Sequence, residues 1–235
     1  MNLLVLAGGM GTRLKPVLPN TPKALAPVNS KCFIFYQIEN WLLQGVKSII
    51  FLLYNQSEII IDYLEKIIQT EFKTCNITWI VEPRKLDTGG SVAHAVKVLN
   101  LKENFLLTNA DTWLGTGVNK IISCRSPVMA IIKKENAKRY GNVIVDKQFV
   151  VRGFKEKETN KNSFWINAGL YLLHPNLFKG WDGSPFSLEK VFFVSLIESH
   201  QLKALPLDTE FIDIGIPKDY LKFCKWDASG RIGKL

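Results

Sequence analysis

Between residues 3 and 111, short apolar runs of strand length alternate with longer amphipathic segments, and that alternation leaves few folds open to the chain. "LLVLA" at 3–7 reads as a buried strand, and "FIFYQIENWLLQG" at 33–45 as a helix closed by Gly45. "SIIFLLY" at 48–54 is a second strand, and "SEIIIDYLEKIIQ" at 57–69 a second helix with Ser57 at its N-cap. "ITWIVE" at 77–82, the helical "SVAHAVKVLN" at 91–100 and "NFLLTNAD" at 104–111 continue the series. Strands joined in this way predict an α/β fold, a doubly wound, mostly parallel, Rossmann-like sheet covered on both faces. Such sheets bind ligands beyond the carboxyl ends of their strands, where the loop after the first strand lies.

From about residue 127 the pattern changes. "VMAIIKK", "NVIVD", "FVVRGFKE" and "WINAGLYLLH" follow one another with little helix between them, which predicts antiparallel additions in the second half. "LEKVFFVSLIESH" at 188–200 and a segment from Pro217 to about Trp226 read as closing helices. No repeat and no Pro/Gly/Ser linker interrupts the chain, so residues 1–235 read as a single domain.

Composition removes several functional classes. With 47% hydrophobic and 22% charged residues the chain is neither disordered nor membrane-embedded, and no run approaches the ~18 apolar residues of a membrane span. A net charge of +9 suits an anionic partner. The basic residues are scattered and lack interleaved aromatics, so the excess reads as a solvated surface, with no nucleic acid and no membrane among the expected partners. Cys32, Cys75, Cys124 and Cys224 form no CxxC pair and read as separate reduced thiols. Together with an N-terminus that lacks a signal-peptide pattern, they predict a cytoplasmic protein. His94, His174 and His200 show no metal-ligand spacing.

The loop "LAGGMGTRLKPVLPNTPKALAPV" at 6–28 carries the strongest chemical signal. Backbone N–H groups approach an anion closely where no Cβ intervenes, so a glycine-rich turn after a strand suggests phosphate binding. The Walker A pattern fails because no Gly-Lys-Ser/Thr follows. The dinucleotide fingerprint fails because Gly9 and Gly11 are followed by Leu14 where a third glycine is needed. Pro16, Pro19, Pro22 and Pro27 also prevent a helix from starting there. An extended loop remains, with Arg13 and Lys23, a planar fork and a compact point charge suited to different oxygens of one polyphosphate.

These residues resemble the N-terminal signature of the sugar-1-phosphate nucleotidyltransferases, L-A-G-G-x-G-T-R-L followed by P-K-P. Further segments match in the same order: "LDTGGSV" at 86–92, "NAD" at 109–111, "YGNV" at 140–143, "EK" at 156–157, "NAGLY" at 167–171 and "FIDIGIPKDY" at 211–220. Within that family the "QG" after the first helix and the "IDIGIPKDY" ending look most like the short D-glycero-D-manno-heptose 1-phosphate guanylyltransferases. "LDTGG" and "NADTW" lean toward the N-acetylmuramate-1-phosphate uridylyltransferases.

The resemblance implies that a sugar 1-phosphate oxygen attacks the α-phosphate of a nucleoside triphosphate, giving a nucleotide sugar and pyrophosphate. It makes a nucleoside triphosphate and a sugar 1-phosphate the partners, Mg²⁺ the cofactor, and a homodimer a compatible assembly. It further implies that residues 1–126 serve the nucleotide and 127–235 the sugar phosphate. Ala7, Gly8, Gly9, Gly11 and Thr12 would cradle the nucleotide. Arg13 would hold the departing phosphates, and Lys23 would bridge toward the α-phosphate. Asp111 and Asp213 would bind the metal, since a carboxylate in apolar surroundings needs a partner and a hard cation is a natural one. Arg13, Lys23 and Asp111 are thus the expected catalytic residues. Glu82, Asp87, Thr88 and Gly89 fall where the family reads the base; the alternative for this stretch is a strand-to-helix turn capped by Ser91. Asn109, Gly141, Glu156, Lys157, Asn167 and Gly169 fall where it reads the sugar phosphate. Trp113 either belongs to the core or walls the sugar site.

Three positions depart from the family pattern. Ala24 stands for the second proline of P-K-P, Ala110 for the glycine of N-G-D, and Asp87 for the glycine of L-G-T. A carboxylate at 87 is able to accept from N1–H and the N2 amino group of guanine, which favours GTP. Uridylyl or cytidylyl transfer is the alternative, and a catalytically silent sensor of nucleotide sugars is the alternative from another class. A sensor has no need of Arg13, Lys23, Asp111 and Asp213 together.

Overall fold

The structure, a computed structural model, describes residues 1–9, 11, 13–14, 16–135, 141–155 and 163–228. Strand β1 (Asn2–Leu6) leads through the glycine loop to a short 3-10 turn, Lys23–Leu25, and a small hairpin of β2 (Pro27–Val28) and β3 (Lys31–Cys32). Helix α1 (Phe33–Leu43), β4 (Ser48–Leu53), α2 (Ser57–Thr70), β5 (Asn76–Val81), α3 (Asp87–Val98) and β6 (Phe105–Asn109) follow. Next come β7 (Thr112–Leu114), α4 (Val118–Ile122), β8 (Val128–Glu135), β9 (Asn142–Val145), β10 (Val151–Lys155) and β11 (Ser163–Leu173). A π-helical turn, Leu188–Phe192, runs into α5 (Phe193–Glu198), and β12 (Lys203–Leu207), β13 (Phe211–Asp213) and α6 (Pro217–Ala228) end the described chain. The fold is the expected α/β class, mostly parallel strands in the first half with antiparallel ones added in the second.

The chain forms two compact units. One is assembled from Met1–Lys85, Thr108–Thr116 and Glu210–Leu235, the other from Leu86–Leu107 and Gly117–Thr209. In the first, β1, β4 and β5 run parallel, with Leu4 beside Ile50 and Ile50 beside Thr78. Leu3, Leu4 and Val5 are fully buried, as a parallel strand covered on both faces requires. The last residues of β6 run on past β1, where the Ala110 N–H donates to the Leu6 carbonyl at 3.0 Å. The pair β7–β13 is antiparallel, with Trp113 opposite Ile212 and Asp213 opposite Thr112.

A core within this unit gathers Leu14 from the loop, Phe33 and Tyr36 from α1, Trp113 from β7, Ile212 and Ile214 from β13 and its end, and Phe223 from α6. The Phe223 ring meets Phe33 edge-on at 4.7 Å and Trp113 at 5.3 Å. Trp113 therefore belongs to the core. Leu14, where a dinucleotide site would need glycine, is buried here and pins the loop.

In the second unit β11 lies antiparallel to β8, from Phe164 opposite Lys134 to Leu172 opposite Val128, with a register shift between Asn167 and Tyr171. Gly169 sits inside that irregularity at φ +71°, a conformation that favours glycine. The rings of Tyr171 and Phe193, and of Phe178 and Phe192, pack at 4.9 and 4.7 Å.

Several local expectations need correction. Ser57 is the first residue of α2, and the N-cap is Gln56, which turns the chain in the left-handed region at φ +54°. Helix α3 begins at Asp87, so Ser91 lies inside it, and no N-cap is made there. The strand expected to 111 stops at Asn109, and a separate strand begins at Thr112. The helix expected at 188–200 opens as a π-turn, with the Ser187 hydroxyl accepting from the Lys190 N–H, and its α-helical part ends at Glu198. Strand β12, parallel to β8, is hidden in the sequence by Pro206, which lies opposite Ile131; the other edge of β12 takes a bridge from Val150 at Lys203, before the proline is reached.

Leu14 is only 1% exposed. We therefore expect Leu14→Ala to lower the free energy of urea unfolding by about 2–5 kcal/mol, through lost burial and the cavity it leaves.

Candidate active site

The glycine loop follows from where β1 ends. The Ala7 N–H donates to the Leu52 carbonyl at 3.0 Å, which extends the sheet pairing by one residue. At Gly8 a Cβ would come within 3.0 Å of the Tyr54 Cβ and 3.2 Å of its backbone nitrogen, so close packing demands glycine. At Gly9 a Cβ would meet nothing within 4 Å among the described residues. Glycine there answers no packing need, and it leaves bare backbone for an approaching ligand. Gly11 has φ +61°, and its carbonyl accepts from the Leu14 N–H at 3.1 Å to close a turn. With Leu14 drawn into the core, its neighbour Arg13 is exposed.

Lys23 opens the 3-10 turn that Ala24 and Leu25 bury. The Leu25 and Ala26 N–H groups donate to the Pro22 and Lys23 carbonyls at 2.9 and 3.0 Å, so the turn closes with alanine at position 24. The Lys23 ammonium donates to Asp111 Oδ2 at 2.7 Å, with both side chains about a fifth to a quarter exposed. Asp111 occupies the turn between β6 and β7, with Asn109 and the buried Ala110 just before it. Its carbonyl accepts from the Ile214 N–H at 3.0 Å, which ties the Asp111 peptide to the residue after Asp213.

Gly215 lies at the centre of this arrangement. Its N–H donates to Asp213 Oδ1 at 2.7 Å. A Cβ built there would lie 2.7 Å from that oxygen, 3.3 Å from Arg13 Nη2 and 3.4 Å from Lys23 Nζ. One point thus has a guanidinium, an ammonium and a carboxylate around it, and only glycine leaves that point open. Asp111 and Asp213 supply hard oxygen donors from adjoining positions of one strand pair, a donor set that fits Mg²⁺. Among the described residues no three His, Cys, Asp or Glu side chains group as metal ligands. A divalent ion there would complete its shell from phosphate oxygens and water, as Mg²⁺ does at phosphoryl-transfer sites.

Glu82 belongs to the same unit. It is 9% exposed, its N–H donates to the Leu53 carbonyl at 2.8 Å, and its Oε1 would lie 3.5 Å from a Cβ at Gly8. The carboxylate is therefore beside the glycine loop.

The remaining positions lie in the second unit. Asp87 is exposed at φ +57°, at the first turn of α3. The Gly89 and Gly90 N–H groups donate to the Phe186 carbonyl at 2.8 and 3.2 Å, and a Cβ at Gly89 would fall 2.2 Å from the Phe186 ring. The two glycines open a helix because this packing requires them. The Thr88 hydroxyl donates to Glu189 Oε2 at 3.0 Å and accepts from the Leu188 N–H at 2.9 Å. Asn167 donates from its amide to the Tyr171 hydroxyl at 2.7 Å and accepts from the Gly169 N–H at 3.0 Å. Burial, the nearby Glu189 charge adding to it, pushes the Tyr171 phenol well above its usual range, so it stays a neutral partner. Gly141 is exposed just before β9. Thr12, Glu156 and Lys157 lie outside the described residues.

A family model described as "Nucleotidyl transferase" matches residues 2–229. The chain belongs to the nucleotidyl transferase family. It is 33% identical to D-glycero-alpha-D-manno-heptose 1-phosphate guanylyltransferase of Campylobacter jejuni, over 95% of this chain and 98% of that one. It is 30% identical to mannose-1-phosphate guanyltransferase of Schizosaccharomyces pombe, over 94% of this chain and 62% of that longer one. The crystal structure of HddC from Yersinia pseudotuberculosis superposes with a TM-score of 0.83 at 30% identity, covering 95% of this chain and 98% of HddC. HddC complexed with GMP-PN gives a TM-score of 0.82. The nucleotidyltransferase described here is an enzyme, and sugar-phosphate nucleotidyl transfer is the reaction these relatives share.

Within "FIDIGIPKDY" nothing in the sequence marks Gly215 out; only the spatial closeness of Arg13, Lys23 and Asp213 reveals its role. A methyl group at Gly215 should displace the Asp213 carboxylate without touching the core. We expect Gly215→Ala to lower kcat/KM at least about tenfold, with urea unfolding close to that of the parent protein.

Proposed function

We propose that the protein transfers a guanylyl group from GTP to a sugar 1-phosphate, a heptose or a hexose, and releases pyrophosphate. The observation that carries this reading is the grouping of Arg13, Lys23 and Asp213 around Gly215, with the Lys23 ammonium on Asp111. Two anions must meet for the reaction, so positioning and charge neutralisation matter more than acid–base groups. A sugar phosphate oxygen forms the new bond to the α-phosphorus as the α–β phosphoanhydride bond breaks, and pyrophosphate leaves with the electron pair.

In this reading Ala7, Gly8, Gly9, Gly11 and Thr12 present backbone to the nucleotide. The Arg13 fork holds the β- and γ-phosphates. Lys23 shifts between Asp111 and the α-phosphate, keeping its charge paired throughout. Asp111 and Asp213 would hold Mg²⁺, which when bound neutralises phosphate oxygens. Residues 1–126 supply the nucleotide site except for Asp213, and residues 127–235 serve the sugar phosphate through Gly141, Glu156, Lys157, Asn167 and Gly169, joined by Asn109. The names of the relatives support a guanine nucleotide. So do two acceptor carboxylates, Glu82 beside the glycine loop and Asp87 with Thr88 and Gly89 at the start of α3, because guanine presents two adjacent donors. Four free cysteines, and no helix long and apolar enough to cross a membrane among the described residues, accord with a cytoplasmic site of action.

Pyrophosphate release over a grid of four nucleoside triphosphates and heptose, mannose, glucose, glucosamine and N-acetylmuramate 1-phosphates tests the proposal. Turnover of GTP with a heptose or hexose 1-phosphate is expected, and preference for UTP with N-acetylmuramate 1-phosphate would overturn it. Asp111→Asn should reduce kcat by at least about a hundredfold. Arg13→Ala should raise the KM for GTP while unfolding in urea as the parent does, since the side chain is exposed. In the same grid Glu82→Gln and Asp87→Ala separate the two base-reading carboxylates, and whichever loses its preference for GTP is the one that reads guanine.

A further inference from the structure

Helix α1 and its C-cap residue carry three amides in a mostly apolar segment, Gln37, Asn40 and Gln44, which are 0%, 2% and 7% exposed. Spacings of three and four residues place them on one face of the helix. Each meets the backbone of the β7 segment. Gln37 Nε2 donates to the Thr112 carbonyl at 2.7 Å, Asn40 Nδ2 to the Leu114 carbonyl at 2.8 Å, and Gln44 Nε2 to the Gly115 carbonyl at 3.3 Å. Gln44 also donates to Asn40 Oδ1 at 3.1 Å. Strand β7 is three residues long and pairs with β13 alone in its two-stranded sheet. Along the edge away from β13, the helix does with side chains what another strand would do with N–H groups.

The first rung lies directly behind the site. Thr112 follows Asp111 and stands opposite Asp213, and the Asp111 carbonyl takes the Ile214 N–H. Both carboxylates are thus mounted on the strand pair whose Asp111 end Gln37 holds. Gln37 Oε1 is buried with no hydrogen-bond partner among the described residues, so the amide is tied through its donor end only. A buried amide oxygen left unpaired is costly.

We propose that Gln37 is a positioning residue for the reaction: through the Thr112 carbonyl it sets the placement of Asp111, and with it the seat of the divalent cation. This rests on the reading of Asp111 and Asp213 as the cation ligands. Carboxylates that must meet a small octahedral ion tolerate little displacement, so loss of this single donor should reach the chemistry, while loss of Gln44, at the far end of the ladder, should not.

The test compares Gln37→Met, Gln44→Met and Asp111→Asn with the parent enzyme. Methionine keeps the volume and removes the donor in both ladder variants. We measure urea unfolding, kcat and KM for GTP, and Mn²⁺ binding by electron paramagnetic resonance with a non-hydrolysable GTP analogue present. We expect both methionine variants to lose similar stability. Gln37→Met should lose kcat about tenfold or more and bind Mn²⁺ about tenfold more weakly, with an unchanged KM for GTP, while Gln44→Met keeps the parent's kcat and Mn²⁺ affinity. Equal effects of the two variants on kcat, or parental kcat and Mn²⁺ binding in Gln37→Met, would overturn the inference and reduce the ladder to a stability device. If Asp111→Asn abolishes Mn²⁺ binding and Gln37→Met leaves it intact, the inference alone falls. If Asp111→Asn binds Mn²⁺ as the parent does, the reading of the cation site falls with it. Should Gln37→Met fail to fold, Gln37→Glu takes its place. Its carboxylic acid donates to the Thr112 carbonyl when protonated and loses that donor when ionised, so the ratio of its kcat to the parent's should drop as pH rises, and a flat ratio would overturn the inference.

Discussion

Four charged side chains of this nucleotidyltransferase stand next to buried ones, and the core those buried neighbours share holds the site together. Arg13 precedes Leu14, Lys23 opens the turn whose Ala26 is buried, Asp111 is two residues from Trp113, and Asp213 lies between Ile212 and Ile214. Leu14, Ala26, Trp113, Ile212 and Ile214 pack in one cluster with Phe33 and Phe223. Burial of an aliphatic side chain such as Leu14 contributes roughly 1.5–3 kcal/mol, which an exposed ion pair seldom matches. Apolar anchoring therefore supplies the stability, and the charged groups need not supply it. Separation of the two roles by one to three residues in the chain is what allows like charges such as Arg13 and Lys23 to be held close together.

Much of this could be read in the sequence, and the failures have physical causes. The fold class followed from short continuous apolar runs alternating with longer amphipathic segments, where propensity and burial agree. Loop chemistry followed from the absence of a third glycine at Leu14, and the structure gives that absence a positive meaning, since the leucine is a core anchor. Boundaries failed where tertiary contacts override local preference. Ser91 looked like a cap, but Gly89 and Gly90 pack against Phe186 and let the helix start earlier. Pro206 concealed β12, and the reversal at Ala110–Asp111 concealed β7.

The amide ladder was visible in outline and missed in meaning. Gln37, Asn40 and Gln44 recur at helical spacing inside an apolar run, where a polar side chain is expensive unless it is partnered. Such a pattern announces that something buried needs donors, without saying what. The acceptor, a short strand more than 70 positions further on, is specified only by the fold. Gly215 is a similar case, because its neighbours Arg13 and Lys23 come from the other end of the chain.

The unit that carries Arg13, Lys23, Asp111 and Asp213 is assembled from three stretches of chain, Met1–Lys85, Thr108–Thr116 and Glu210–Leu235. During synthesis the glycine loop leaves the ribosome some two hundred residues before β13. Until that strand arrives, β7 lacks its only partner in the two-stranded sheet, Leu14 and Trp113 lack Ile212, Ile214 and Phe223, and the lysine stands near one carboxylate with the second still missing. A growing chain thus has no partly assembled form of this grouping: the apolar anchors and the charged side chains they carry are brought together in one event, when β13 joins the core.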